Sequence, residues 1–178
     1  MSQKTKIEAV VLAGGQSRRM GRSKAALRVG GRSMLSHARA LAAELGLTAR
    51  IIRRDLRPGL GPLGGIETAL TQTTADRVLF LGCDMPFLQS ALVEQILAVS
   101  APAVFASRQG CVGFPFCLSP ELLPRVQARL TAGKRSLQTF SRAVRARRVR
   151  VAPVDWPQLV NLNTPEDLAE ARKFLHSR

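Results

Sequence analysis

The residues best placed to do chemistry fall in a few short stretches, and the first of them reads as a holder for phosphate. Ile7-Glu8-Ala9-Val10-Val11-Leu12-Ala13 runs into Gly14-Gly15, and Arg18, Arg19, Arg22 and Lys24 follow at once. Paired glycines take backbone angles that other residues avoid, so consecutive N–H groups can turn inward around an anion. Two familiar designs are excluded by spacing, since the stretch contains neither a P-loop nor a G-x-G-x-x-G fingerprint. Asp84 ends a second stretch. A hard carboxylate at the end of a strand suits Mg²⁺, although the same residue is also placed to cap the turn before Pro86. The third stretch is Asn163-Thr164-Pro165-Glu166-Asp167. There Thr164 is an N-cap, Pro165 fits the first helical position and Asp167 completes a box-like pattern. A helix start is also where a phosphate or metal is met, with Asn163 as an oxygen donor, so cap and site both stay open. No Ser/His/Asp set or Cys/His pair is apparent, and the two histidines, His37 and His176, lie in unpromising places.

The elements that must position these residues alternate between strand and helix. Ala9 to Ala13 is a short Val- and Leu-rich run that fits a parallel strand covered on both faces. Ala25 to Val29 reads as extended, with a turn at Gly30-Gly31. Ser33 to Leu45 has the apolar spacing of one helix face, and Gly46 closes it. Leu47 to Arg53 predicts a second strand. Residues 54–65 read as a loop because Pro and Gly punctuate them, with a short helix from Ile66 to Gln72. Arg77 to Leu81 predicts a strand that delivers Gly82-Cys83-Asp84, and Gln89 to Val99 a helix. Ala101 to Ser107 and Val112 to Leu118 predict strands joined by a glycine turn. Pro120 to Leu130 and Ser136 to Val144 read as helices, and Val149 to Val154 as an edge strand interrupted by Pro153. The pattern predicts a layered α/β domain with a mainly parallel sheet and an antiparallel excursion. Ligands of such sheets sit outside the carboxyl ends of the strands, where the glycine loop and Asp84 both fall.

Composition bounds the rest. A chain of 178 residues, 46% hydrophobic and 22% charged, predicts one globular domain over 1–178. The start leads directly into the first strand and the apolar runs are short, so the expected location is the cytoplasm, away from membranes. Cys83, Cys111 and Cys117 make no metal-like cluster and read as small reduced core residues. The net charge of +15 implies contact with phosphate somewhere or a generally arginine-rich surface. Much of it comes from residues 122–154, which hold Arg125, Arg129, Lys134, Arg135, Arg142, Arg145, Arg147, Arg148 and Arg150 and no acid. An aromatic content of 4%, with no Tyr, argues against nucleic acid read by base stacking.

Residues 12–24 follow the pattern L-A-G-G-x-S-x-R-M-G-x-x-K and resemble the signature of nucleotidyltransferases that activate sugars, pterins and other phosphates. Gly61-Pro62-Leu63-Gly64-Gly65, Cys83-Asp84-Met85-Pro86-Phe87 and Asn161-Leu162-Asn163-Thr164-Pro165-Glu166-Asp167-Leu168 fall in the same order as in the molybdenum cofactor guanylyltransferase family. The resemblance implies a three-layer, Rossmann-like nucleotidyltransferase fold. It also implies transfer of GMP from GTP to the terminal phosphate of molybdopterin, with Mg²⁺ as cofactor and with molybdoenzymes or their chaperones as further partners. In that reading Leu12, Ala13, Gly14, Gly15 and Lys24 cradle the triphosphate, and Lys24, Arg19 and Asp84 serve catalysis with Asp84 on the metal. Gly61, Pro62 and Leu63 lie near the guanine, Asp55 contacts ribose, base or metal-bound water, and Asn163 adds an oxygen. The basic 125–150 region is read as a receiver of the pterin phosphate. An ionised phosphate nucleophile needs no general base, in keeping with the missing histidine site. One departure stands out: residues 37–55 have room for a single strand where the family usually has a further strand–helix unit and a nucleotide-contacting Asn, so Arg53 or Arg54 is left to take its place. The rival readings are a cytidylyl- or sugar-phosphate nucleotidyltransferase and a noncatalytic nucleotide- or partner-binding homologue.

Overall fold

Buried residues on both faces of the first strand mark it as the centre of a covered sheet. In chain order the elements are β1 (Ile7–Leu12), the ribbon β2 (Arg28–Val29) and β3 (Arg32–Ser33), α1 (Met34–Glu44), β4 (Ala49–Ile52), α2 (Pro62–Gln72), β5 (Arg77–Gly82), α3 (Ser90–Ala98), β6 (Ala103–Arg108), β7 (Cys111–Leu118), α4 (Leu123–Thr131), α5 (Leu137–Ala143), β8 (Arg147–Arg150) and α6 (Pro165–His176). These come from a computed structural model that describes residues 5–14 and 27–176.

The main sheet has the order β4-β1-β5-β7-β6-β8. β1 is parallel to β4 and β5, β8 is parallel to β6, and β7 runs against both of its neighbours. The antiparallel excursion is therefore one strand, β7, because β6 returns to the common direction. Strand alternation sorts the core into two faces. Ala9, Val11, Leu79 and Leu81 pack with Ala38 and Leu41 of α1 and Leu92, Val93 and Ile96 of α3. Val10, Val78 and Phe80 pack with Leu63 and Ile66 of α2, Val126 and Leu130 of α4 and Phe140 of α5. Helix, sheet and helix form three layers, as the resemblance implies.

Local chemistry explains the ends of the elements. Ser33 accepts the Ser36 N–H at 3.1 Å and starts α1, and Gly46, at φ +70°, closes it. Arg77 donates to the Leu97 and Val99 carbonyls at 2.7 and 3.0 Å, which satisfies the C-terminal end of α3. On the β4 side of the sheet, Glu8 of β1 pairs with Arg50 of β4 at 2.5 Å. Burial alone would raise the Glu8 carboxyl, but hydrogen bonds from Arg50 and Thr73 and the charges of Arg50 and Lys6 hold it below the usual range.

Several expectations need correction. Helix α2 begins at Pro62, so Gly61 to Gly65 is a helix start and not a loop. Pro fits the first helical turn, and the two glycines are buried against neighbours. The edge strand ends at Arg150, and Pro153 belongs to a 3₁₀ segment, Pro153–Leu159. The helix expected from Pro120 opens as a 3₁₀ turn, Pro120–Leu122, before α4. Cys83 and Cys117 are buried as expected, whereas Cys111 at the start of β7 is exposed. A single strand, β4, lies between α1 and α2, as the length of 37–55 predicts. No helix among the described residues is long and apolar enough to cross a membrane.

A third, smaller cluster ties the end of the chain to the site. Val29, Met34, Leu162, Leu168 and Ala171 pack together with Phe87 against them. The Leu162 N–H donates to the Asp84 carbonyl at 2.9 Å, which fixes the 161–163 segment beside the end of β5.

Candidate functional site

β1, β4 and β5 are parallel neighbours, so the segments that leave their carboxyl ends meet at one edge of the sheet. Gly14 follows β1, Asp55 follows β4 and Asp84 follows β5. The Ala13 N–H donates to the Ile52 carbonyl at 2.9 Å and carries the β1–β4 pairing one residue beyond the strand. A methyl group on Gly14 would stand 3.1 Å from the Arg53 carbonyl oxygen and 3.8 Å from Asp55 Oδ1. The chain past β1 thus lies against the chain past β4, an approach open to glycine.

Asp55 is the focus of the contacts. Methyl groups on Gly64 and Gly65 would lie 3.0 Å from its Oδ2 and 3.4 Å from its Oδ1. Glycines of the β1 exit and of the first turn of α2 therefore surround one half-buried carboxylate. Burial pushes that carboxyl above the usual range. A carboxyl held so, in a cleft of backbone, is a functional candidate on physical grounds. α2 starts at Gly61, whose φ of +64° favours glycine, and no side chain caps it. Its first N–H groups and the positive end of its dipole point out of the helix at this place, suited to an electronegative group.

The loop that carries Asp55 is fastened to α2 by residues that sequence reasoning passed over. The Leu56 N–H donates to Thr68 Oγ1 at 2.9 Å, and that hydroxyl donates to the Gly64 carbonyl at 2.9 Å. Arg57 makes a two-pronged bond to Glu67, with Nε to Oε2 at 2.9 Å and Nη2 to Oε1 at 2.5 Å. Arg135, from the turn between α4 and α5, donates to the Gly59 carbonyl at 2.9 Å. Leu56, 54% exposed, presents an apolar side chain beside the acid. Only Glu67, an acid in an otherwise apolar and small-residue run, carried a sequence signal for any of this.

Asp84 is half-buried, and its Oδ1 would stand 2.9 Å from a methyl group on Gly82, so the bare glycine makes room for the carboxylate. Among the described residues no three His, Cys, Asp or Glu side chains gather as a metal cage. A single hard carboxylate at a strand end suits an ion that fills its shell with water and phosphate oxygens. Asn163 is exposed next to this place, and its N–H, like that of Thr164, donates to Asp167 Oδ2 at 2.8 and 2.9 Å. Asp167 N–H returns a bond to Thr164 Oγ1 at 3.1 Å, so the capping box is formed while the Asn163 side chain stays at the surface.

The remaining expected residues divide plainly. Leu12 packs its methyl groups toward Gly65, each 3.1 Å from a methyl placed there. Leu63 is fully buried in the core, which leaves only its backbone for a ligand, and Pro62 is exposed. Arg53 and Arg54 are exposed at the exit of β4. Gly15, Arg19 and Lys24 lie outside the described residues. The basic run is spread over α4, α5 and β8. Leu118, just before α4, pairs with Val78 at the start of β5, which places the first turn of α4 and Arg125 at the opposite end of the sheet from Asp84.

The chain is similar to known proteins along nearly its whole length. The profile of a family described as the MobA-like NTP transferase domain matches residues 9–53 and 39–151. A molybdenum cofactor guanylyltransferase of Xanthomonas euvesicatoria is 34% identical over 178 residues, covering 88% of this chain and 89% of its own. The chain belongs to the molybdenum cofactor guanylyltransferase family. A second member, from Rhodobacter capsulatus, is 34% identical over 96% of this chain and 97% of its own length. The fold agrees with the crystal structure of molybdopterin-guanine dinucleotide biosynthesis protein A from Archaeoglobus fulgidus, at a TM-score of 0.74 and 18% identity over 96% of this chain and 100% of that one.

Proposed function

We propose that this protein transfers GMP from GTP to the terminal phosphate of molybdopterin, releasing pyrophosphate and forming the guanine dinucleotide cofactor. The observation that carries this is the meeting of Gly14, Asp55, the uncapped start of α2 and Asp84 at one sheet edge. An oxygen of the acceptor phosphate attacks the α-phosphorus of GTP; the bond to the β-phosphate bridging oxygen breaks, and pyrophosphate departs with that electron pair. The nucleophile is already ionised, so no side chain has to remove a proton.

Each part of the chain has a role in this reading. Leu12, Ala13, Gly14 and Gly15 offer backbone to the triphosphate, with Lys24 and Arg19 neutralising charge as pyrophosphate leaves. The backbone of Gly61, Pro62 and Leu63 borders the guanine, and Asp55 bonds the ribose, the base or a metal-bound water. Asp84 holds Mg²⁺ with help from Asn163, and the ion when bound supplies charge neutralisation at the phosphates. Of the basic run, Arg135 reaches this edge and is placed to meet an anionic acceptor. The whole of 1–178 acts as one nucleotidyltransferase unit in the cytoplasm, where the thiols of Cys83, Cys111 and Cys117 stay reduced, and hands its product to molybdoenzymes or their chaperones.

Turnover of GTP with molybdopterin by Lys24→Ala and Asp84→Ala proteins tests the assignment. Each change is expected to lower kcat by about 100-fold or more, the usual scale for a group that stabilises transition-state charge. Rates near wild type in both variants overturn the site.

A further inference from the structure

The outer side of the α4–α5 layer holds a groove of about 230 Å³. Arg125, Arg129 and Lys134 line it, together with the small residues Ala128, Ala132 and Ala143. Arg125, Ala128, Arg129 and Ala132 recur at helical spacing, so they share one face of α4. Nearer the end of the helix, Arg129 Nη2 donates to Thr139 Oγ1 at 2.5 Å, and Thr139 donates in turn to the Ser136 carbonyl at 3.2 Å. The guanidinium is thereby held by the first turn of α5, with donors to spare. Its Nε is buried and has no partner. Among the described residues neither Arg125 nor Lys134 makes an ion pair, and residues 122–154 contain no acid.

Three like charges lining one groove repel one another, and an anion between them removes that cost. We propose that the α4–α5 groove is a binding site for a small phosphorylated anion, of the size of pyrophosphate or a pentose phosphate, separate from the nucleotide crevice. Guanidinium forks match phosphate oxygens in pairs, and an ammonium adds a point charge beside them. The volume lies below the roughly 300 Å³ at which pockets for drug-sized ligands begin, so a whole dinucleotide does not fit. No aromatic side chain lines the groove, so it offers no platform for a stacked base. The alanines leave the interior shallow and apolar, which suits the carbon part of a phosphate ester.

Titration calorimetry on the full chain, with inorganic pyrophosphate in one arm and ribose 5-phosphate in the other, tests the site. Each arm is run with and without saturating GTP. A binding event that persists under GTP is expected in at least one arm, and the arm that shows it tells whether pyrophosphate or a phosphate ester is the better ligand. The double variant Arg125→Gln/Arg129→Gln is expected to weaken that event by about tenfold or more, as loss of charge-assisted bonds does, with GTP affinity unchanged. Ala128→Phe fills the groove without altering any charge and is expected to weaken it as well, with far-UV circular dichroism matching wild type. Anion binding wholly competed by GTP overturns the proposal. So does an Ala128→Phe protein that binds the anion as wild type does, because diffuse surface charge then suffices.

Discussion

Asp55 is held where its charge costs the fold stability. Burial raises its carboxyl, which means the folded chain prefers the protonated form relative to the unfolded one. Its favourable contribution is complete below the unfolded pKa of about 3.9 and is lost as pH rises through the folded value. At neutral pH the full cost is present. Asp55→Asn is therefore expected to raise stability in urea unfolding at pH 7, to lose that advantage below about pH 4, and to lower GTP turnover. An Asn variant that is less stable than wild type at pH 7 contradicts this account. The acid itself was legible in the sequence from its place before the Gly-Pro-Leu-Gly-Gly motif, whereas its neighbours were not. Contacts from Gly14, Gly64 and Gly65 come from two segments some fifty residues apart, and no local pattern encodes that distance. Lys24, Arg19 and Gly15, the other residues of the phosphate reading, rest on sequence and resemblance.

At the scale of elements, the central strands were readable as short continuous apolar runs buried on both faces, and most helices from the period that one buried face leaves in the sequence. Two boundaries were not. Gly64 and Gly65 signal a loop by composition, yet they sit in the first turn of α2, where their lack of side chains admits Asp55 and Leu12. β8 is Arg147–Arg150, three arginines around one valine, and nothing in that composition suggests a strand; pairing with β6 decides it. The loop that joins β4 to α2 shows the same limit, since it is held by Thr68 and Glu67 of the following helix and by Arg135 far along the chain. Glu67 is 5% exposed and its partner Arg57 lies near the surface, so the pair sits between the exposed and buried extremes. Glu67→Gln is expected to lower Tm modestly, because it gives up a charged hydrogen bond whose partner Arg57 is solvated. It is also expected to raise KM for GTP more than it lowers kcat, because it loosens the Asp55 loop without touching the phosphates. Thermal unfolding and steady-state kinetics check the two effects. An unchanged KM shows that the staple does not position Asp55.

For the whole molecule, charge decides a property that no single contact does. The chain carries +15, and the described ion pairs, Glu8–Arg50 and Arg57–Glu67, are two strong local attractions against a broad excess of one sign. Residues 122–154 supply nine of the basic side chains and no acid, and of these Arg147, Arg148 and Arg150 on β8 are exposed. Such a strand, with β6 its partner in the sheet order, resists pairing with another copy because the copies repel. The same repulsion acts within the folded chain and opposes compactness. Salt shortens its reach, from a screening length of about 30 Å at 0.01 M to about 8 Å at 0.15 M. The two ion pairs are partly shielded from solvent and are screened less, so the change in repulsion prevails. Raising sodium chloride across this range is expected to raise Tm, and Arg125→Gln/Arg129→Gln is expected to show a smaller rise. Chloride is the required anion, since phosphate would act through the groove and the crevice as a ligand. A Tm that falls with sodium chloride means that local ion pairs outweigh the surface excess, and it removes the electrostatic reason for an anion to enter the α4–α5 groove.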